Sequence, residues 1–119
     1  MALNLSLANR DDSGIAHLAN EGEIIAADFT AHGPNPLEKA LGPEWASMKI
    51  VLDLDRTPYI DSSGIGWLIQ SQKEAKTRGG KIVLAGVSPQ VRQVLDMLKI
   101  HRIVPIAATR AEAAQLFNS

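Results

Sequence analysis

The chain has 119 residues, of which 45% are hydrophobic, and its formal net charge at pH 7 is −1. This length and apolar content suit one globular domain with one core, which we place at residues 1–119. The sequence has no cysteine, which excludes disulfides and thiolate metal sites, and no apolar run approaches the roughly 20 residues of a membrane-spanning helix. We therefore expect a cytoplasmic protein that does not insert into a membrane.

Charge is divided unevenly along the chain. Residues 1–48 carry seven acidic and two basic side chains, whereas residues 49–119 carry six acidic and ten basic ones. Domains that bind nucleic acid are usually basic overall and often supply aromatic side chains for stacking on bases. Since the whole chain is nearly neutral and no such aromatics accompany its lysines, we predict two solvated flanks and no nucleic-acid partner.

The chain is predicted to open with a hairpin. Leucines alternate with polar or small residues at 3–9, the turn cluster DDSG follows at 11–14, and an apolar run occupies 15–19. After this hairpin, prolines and glycines are so closely spaced that only one short helix fits, at 36–41. Asn35 is its predicted cap, with a proline in its first turn.

From residue 49 onward, strands and helices alternate. Three apolar runs predict strands at 49–54, 81–87 and 102–108. Helical patterns follow each run, starting at the serines 62 and 63, at Ser88, and at Thr109, which forms a capping box with Glu112. This order predicts an α/β fold, a mixed and mostly parallel sheet with an N-terminal hairpin and about four helices.

The helix after the first of these strands has a clear apolar stripe, which contains Ile65, Leu68, Ile69 and Gln72. Trp67 falls on the opposite side, with Ser63, Gln70, Ser71 and Glu74. We predict that Trp67 is exposed in the monomer and serves as an anchor for a partner. The alternative is that the irregular segment 26–47, which contains Trp45, covers it. In the next helix the stripe is Val91, Val94, Leu95 and Leu98.

Enzymatic sites find little support in the sequence. The stretch TPYIDSSGIGWLI (57–69) lacks the Lys-Ser/Thr pair of a P-loop and the glycine spacing of a hydrolase nucleophile elbow. The histidines are predicted on three different elements, at His17, His32 and His101, so we expect neither a catalytic triad nor a metal site. Asp53 and Asp55 end a strand and are predicted to form its solvated rim.

The two serines and two glycines of this stretch have both structural and functional interpretations. Ser62 or Ser63 is predicted to cap the helix, and a hydroxyl at a helix N-terminus is also a suitable phosphorylation site. Glycine in a first helical turn costs up to about 1 kcal/mol relative to alanine. Gly64 and Gly66 therefore indicate either close approach by a partner's backbone or a flexible loop.

The segments YIDSSGIGWLI (59–69) and GGKIVLAGVSPQVRQVLDML (79–98) closely resemble the STAS domain family, and specifically its bacterial anti-sigma factor antagonists. The resemblance is strong over residues 48–117. It implies a partner that is both an anti-sigma factor and a serine kinase, which phosphorylates the first serine of the motif, Ser62. Phosphorylation would release the partner, and a phosphatase would restore binding.

The resemblance implies a binding module with no catalysis and no cofactor of its own. Its expected partner-binding residues are Asp61, Ser62, Ser63, Gly64, Gly66, Trp67 and Gln70. The same surface could also support a weak homodimer. An alternative within the same fold is a scaffold or accessory subunit of a stress-signalling or transporter complex, and an alternative outside it is a small hydrolase.

Overall fold

The computed structural model describes residues 5–10, 14–25 and 35–118. The strands are β1 (Leu5–Arg10), β2 (Ala16–Glu21), β3 (Lys49–Arg56), β4 (Lys81–Ala85) and β5 (Ile106–Ala107). The helices are α1 (Pro36–Leu41), α2 (Ser62–Thr77), α3 (Pro89–Met97) and α4 (Arg110–Gln115). Shorter 3₁₀ turns lie at Trp45–Ser47, Ile100–Arg102 and Leu116–Asn118.

The five strands form one sheet in the order β1-β2-β3-β4-β5. β1 pairs with β2 in the antiparallel direction, and the remaining pairs are parallel. The predicted hairpin and the mixed, mostly parallel α/β fold are confirmed. Residues 11–13 of the predicted DDSG turn lie outside the described part of the chain.

The strands β2, β3 and β4 bury side chains on both of their faces. Successive side chains of a strand point to opposite sides of the sheet, so Leu52 and Val51 belong to different clusters. Leu52 and its neighbours pack in the larger cluster with side chains of α1, α2 and α3, whereas Val51 packs in the smaller one with Ala113 of α4. The site described below lies on the side covered by three helices.

The predicted strand at 102–108 is mostly wrong, because only Ile106 and Ala107 pair with β4. Lys99 adopts a left-handed backbone (φ 56°) and begins a 3₁₀ turn. The N–H groups of Ile103 and Val104 donate back to the carbonyl of Ile100, both at 2.8 Å. These donors are thereby used locally and cannot extend the ladder.

Gln72 of α2 fills the place that a longer β5 would occupy. Its Oε1 accepts a hydrogen bond from the Ile82 backbone N–H at 2.8 Å, and its Nε2 donates to the Ile82 carbonyl at 3.0 Å. The same nitrogen donates to the Ile103 carbonyl at 3.2 Å. A polar residue in an apolar stripe is therefore fully paired and ties α2 to the sheet.

The helix starts follow the predictions at α1 and α4 and differ at α3. Asn35 Oδ1 accepts from the Leu37 N–H at 2.9 Å, and Thr109 Oγ1 accepts from the Glu112 N–H at 3.1 Å. Ser88 occupies the cap position of α3, but its hydroxyl donates to the carbonyl of Thr57 at 2.7 Å instead. The stripe of α3 also ends early, since Leu98 lies beyond the last helical residue and is 53% exposed.

Within the described residues, none of the helices is both long and apolar enough to cross a membrane.

Candidate partner-binding site at the start of α2

The motif singled out in the sequence lies in the loop between β3 and α2 and in the first turns of that helix. The loop emerges at the carboxyl edge of the parallel strands, where α/β proteins commonly place their functional residues. It is held against the segment that follows β2: the Ile24 N–H donates to the Tyr59 carbonyl at 3.0 Å, and the Asp61 N–H donates to the Ile24 carbonyl at 3.1 Å. The start of α2 is therefore fixed to the segment that follows β2.

Asp61 caps α2, so the prediction that Ser62 or Ser63 does so is wrong. Asp61 has an extended backbone (φ −96°, ψ −177°), and its Oδ1 accepts a hydrogen bond from the Gly64 N–H at 2.9 Å. Both serines already lie inside the helix and are exposed. Because the carboxylate takes the capping role, the serine hydroxyls are not needed to start the helix.

Gly64 and Gly66 have different surroundings although both are helical. Gly64 is buried, and a Cβ there would lie 2.6 Å from Ile60 Cγ1 and 2.9 Å from both Cγ2 and the carbonyl oxygen of Ile24. The close approach is therefore made by the chain itself and not by a partner. Gly66 is exposed, and no atom would lie within 4 Å of its Cβ, so approach by a partner remains a prediction there.

Trp67 is only 8% exposed, so the prediction that it stands outside the monomer is wrong. Its Nε1 donates a hydrogen bond to Asn35 Oδ1 at 2.9 Å. Ser71, predicted on the same outer face, is 1% exposed, and its hydroxyl accepts from Asn35 Nδ2 at 3.0 Å. The alternative is confirmed, since Asn35 of the irregular segment covers this side of α2. Trp45 is itself buried.

The buried arc of α2 is therefore wider than the apolar stripe. At about 100° per residue it runs from Trp67 through Ser71 and Leu68 to Ile65. The opposite arc starts at Ser62 and Ser63 and continues through exposed residues, namely Gly66, Gln70, Lys73 and Glu74. We call the part formed by Ser62, Ser63, Gly66 and Gln70 the open face of α2.

Sequence reasoning missed the polar contacts that hold the loop from beneath. The hydroxyl of the fully buried Thr57 accepts a hydrogen bond from Asn20 Nδ2 at 2.7 Å, and its carbonyl accepts from the Ser88 hydroxyl at 2.7 Å. Asn20 Nδ2 also donates to the carbonyl of Gly22 at 2.9 Å. The bonds of Thr57 to Asn20 and to Ser88 join residues that are 37 and 31 positions apart, and no local sequence pattern predicts them.

The remaining candidate residues lie elsewhere. Asp53 Oδ2 accepts from Arg110 Nε at 3.1 Å, beside a polar groove of about 240 Å³ on the α4 side of the sheet. His17 is buried in β2 and His101 is exposed in a 3₁₀ turn, while His32 lies outside the described residues. Among the residues with described positions, no three His, Cys, Asp or Glu side chains are grouped to hold a metal ion.

Several known proteins resemble this chain in sequence or in fold. BtrV of Bordetella bronchiseptica, whose name assigns it provisionally to the anti-sigma factor antagonists, is 34% identical over 71 residues, which are 60% of this chain and 61% of BtrV. The match thus spans less than two thirds of that relative. A Thermotoga maritima crystal structure with the same provisional assignment is 25% identical, with a TM-score of 0.76 over 93% of this chain and 92% of the other.

The fold is shared with a third protein that has been solved in two states. Bacillus SpoIIAA, an anti-sigma factor antagonist, is 20% identical in its unphosphorylated form, with a TM-score of 0.61 over 99% of each chain. Its phosphorylated form gives a TM-score of 0.58 over 98% of this chain and 99% of the other. At this identity the likeness shows the fold alone.

The STAS domain model matches residues 10–113, which include every element from β2 to the core of α4. The matched segment contains the capped start of α2, the glycine pair before β4 and the proline-initiated α3. The chain therefore belongs to the STAS domain family, and it resembles proteins that are named as anti-sigma factor antagonists, two of them provisionally.

Proposed function

We propose that this domain is an anti-sigma factor antagonist that works as a phosphorylatable binding switch in the cytoplasm. Its unphosphorylated form binds an anti-sigma factor that is also a serine kinase. The kinase transfers the γ-phosphoryl group of ATP to the Ser62 hydroxyl, giving phosphoserine, ADP and a proton. The modified domain is released, and a phosphatase returns it to the binding form.

The observation that carries this proposal is that Asp61 caps α2, while Ser62 is exposed and has no part in the cap. Asp61 caps α2, so Ser62 can be modified without loss of the cap. Ser62 is exposed in the first helical turn, where the partial positive charge of the helix end stabilises an added phosphoryl group. The phosphorylated form of SpoIIAA supports the same interpretation for this fold.

Phosphorylation changes docking more than it changes the fold. The new group brings a charge of about −1.5 to −2 to the open face of α2, where Ser63, Gly66 and Gln70 carry none. A partner surface that fits a neutral face must then desolvate or repel this charge. The buried side of α2 lies on the other arc of the helix and stays packed.

The domain is proposed to supply the acceptor hydroxyl and not the chemistry. The ATP site and the base that receives the Ser62 proton belong to the kinase. We also propose the open face of α2 as the surface of a weak homodimer. A second copy of the chain would then compete with the kinase for this face.

The test uses the serine kinase that the wild-type chain retains from an extract of its source cell. Purified kinase and ATP should add one phosphoryl group to the wild type, as measured by intact mass, and to Ser63→Ala, but none to Ser62→Ala. Phosphorylated wild type should bind the kinase more weakly than the unmodified protein. A phosphopeptide labelled on Ser63 alone would contradict the assignment of Ser62.

A further inference from the structure

Tyr59 is an exposed aromatic residue beside the proposed phosphorylation site. Among the described residues, the large hydrophobic side chains that are exposed are Leu7 (42%), Tyr59 (51%), Met97 (72%) and Leu98 (53%). Leu7 lies on β1, and Met97 and Leu98 lie at the end of α3. Tyr59 alone among these four belongs to the loop that leads into α2, three residues before Ser62.

The backbone on both sides of Tyr59 is fixed. Its own carbonyl accepts from the Ile24 N–H at 3.0 Å, and the next residue, Ile60, forms a parallel bridge with Ile24 and is 3% exposed. Two residues earlier, Thr57 is fully buried and bonded to Asn20 and Ser88. The Tyr59 ring is therefore exposed on a stretch of loop that the buried Thr57 and Ile60 anchor on either side.

A ring held in this way is well suited to binding. Association costs free energy when side chains and loops must be ordered, and a fixed backbone removes much of that cost. Tyrosine also offers a large rigid apolar surface with few rotatable bonds, together with a hydroxyl that can hydrogen-bond at the far end. Tyrosine is accordingly enriched among residues that dominate interface energies.

The residues around Tyr59 indicate the chemistry of its partner. The open face of α2 is uncharged, and Pro58, which directly precedes Tyr59, is exposed and uncharged as well. Glu23 is exposed and charged, and it precedes Ile24, which forms the bridge with Ile60. Asp61 is half-buried, and its carboxylate accepts the Gly64 N–H. An apolar pocket that takes the ring would fit the uncharged part of this surface, and a contact to Glu23 would lie at the rim of such an interface.

We propose that Tyr59 is the anchor by which the serine kinase holds this domain, its ring entering an apolar pocket beside the kinase's active site. This inference rests on the proposed function, because a kinase that modifies Ser62 must cover the loop three residues away. Trp67 cannot take this role, since its indole is buried under Asn35. The anchor sets affinity, and Ser62 receives the phosphoryl group.

The experiment measures binding and phosphorylation of the full chain by the purified kinase. Tyr59→Ala should raise the dissociation constant about 30-fold or more. It should raise KM for the domain by a similar factor and leave kcat at saturation within about threefold, because uniform binding is lost and transition-state contacts are kept. Tyr59→Phe should stay within about threefold of the wild type. Circular dichroism should show both variants folded.

Met97→Ala is the matched control, since Met97 is more exposed than Tyr59 and lies at the end of α3. It should bind the kinase as the wild type does. Equal weakening by Met97→Ala, or a Tyr59→Ala affinity within threefold of the wild type, would overturn the inference while leaving the switch at Ser62 intact. A fall in kcat without a rise in KM would also overturn it, as would equal weakening by Tyr59→Phe and Tyr59→Ala. A wild-type chain that retains no serine kinase from the extract, or that the retained kinase does not phosphorylate, would overturn the proposed function itself.

Discussion

The two sides of α2 that flank its apolar stripe have opposite roles. Trp67 and Ser71 lie on one side, where Asn35 bonds to both, and they are buried. Ser62 and Gln70 lie on the other side and face solvent. Each side contains a serine, so polarity alone does not separate them. The difference teaches that a tertiary contact from a distant residue decides which side stabilises the domain and which is available to a partner.

The largest expected difference between the two sides concerns Trp67 and Gln70. Trp67→Ala should lower the free energy of unfolding by about 3–5 kcal/mol, because it removes a buried ring and leaves a cavity. Gln70→Ala, three residues away on the open face, should change it by less than about 0.5 kcal/mol. Urea denaturation followed by far-UV circular dichroism measures both.

Trp67→Phe tests the hydrogen bond to Asn35 together with part of the ring. It removes the indole N–H donor and one of the two fused rings but keeps a buried aromatic group, so it should cost about 1–3 kcal/mol, less than Trp67→Ala. If Trp67→Ala proved as harmless as Gln70→Ala, Trp67 would not be covered in solution, and the proposed contrast between the two sides would fail.

Alanine substitutions at Gly64 and Gly66 should change the stability of the fold by smaller amounts, and in opposite directions. Gly64→Ala should destabilise the fold by about 1–3 kcal/mol, because its Cβ would overlap Ile60 and Ile24. Gly66→Ala has open space around it and should leave the melting temperature unchanged or raise stability by up to about 1 kcal/mol. Differential scanning calorimetry of the two variants gives the comparison directly.

Gly66→Ala also tests the open face as a binding surface. The variant should bind the kinase more weakly despite its equal or greater stability, since the added methyl group keeps the partner's backbone away from the helix. Unchanged affinity would show that the partner does not approach the helix at this position.

The smallest expected effect separates Asp61 from Ser62. Asp61→Ala removes the cap of α2 and should cost about 1 kcal/mol, whereas Ser62→Ala should stay within about 0.5 kcal/mol of the wild type. Chemical denaturation resolves this difference if both curves have the same slope. A larger loss for Ser62→Ala than for Asp61→Ala would mean that the serine, and not the aspartate, supports the helix start.

Much of this molecule was predictable because its signals are local. The hairpin, the strands at 49 and 81, and the short helix capped by Asn35 follow from periodicity and from turn and capping residues within a few positions of one another. The STAS motif likewise marked the loop and helix that hold Ser62, because its letters are contiguous in the chain.

Three of the errors share a physical cause. The prediction of a serine cap failed at short range, because the preceding Asp61 caps α2 by accepting the hydrogen bond of the Gly64 N–H. Leu98 matched the apolar stripe predicted for α3, but the helix ends one residue earlier. The strand at 102–108 was an apolar run whose first donors were used by a 3₁₀ turn. Each pattern was compatible with two local structures, and the competition between them was not visible in the pattern.

The sequence by itself determined the fold class, the order of the elements and the position of the serine motif, since these depend on hydrophobic periodicity and on hydrogen bonds between near neighbours. Only the tertiary structure decided which residues of the motif face outward. Trp67 is buried by a residue 32 positions earlier, and the loop that presents Tyr59 is fixed by Ser88, 31 positions beyond Thr57. Side chains so distant in sequence meet only when the helices and the sheet pack together, and no spacing along the chain encodes that contact.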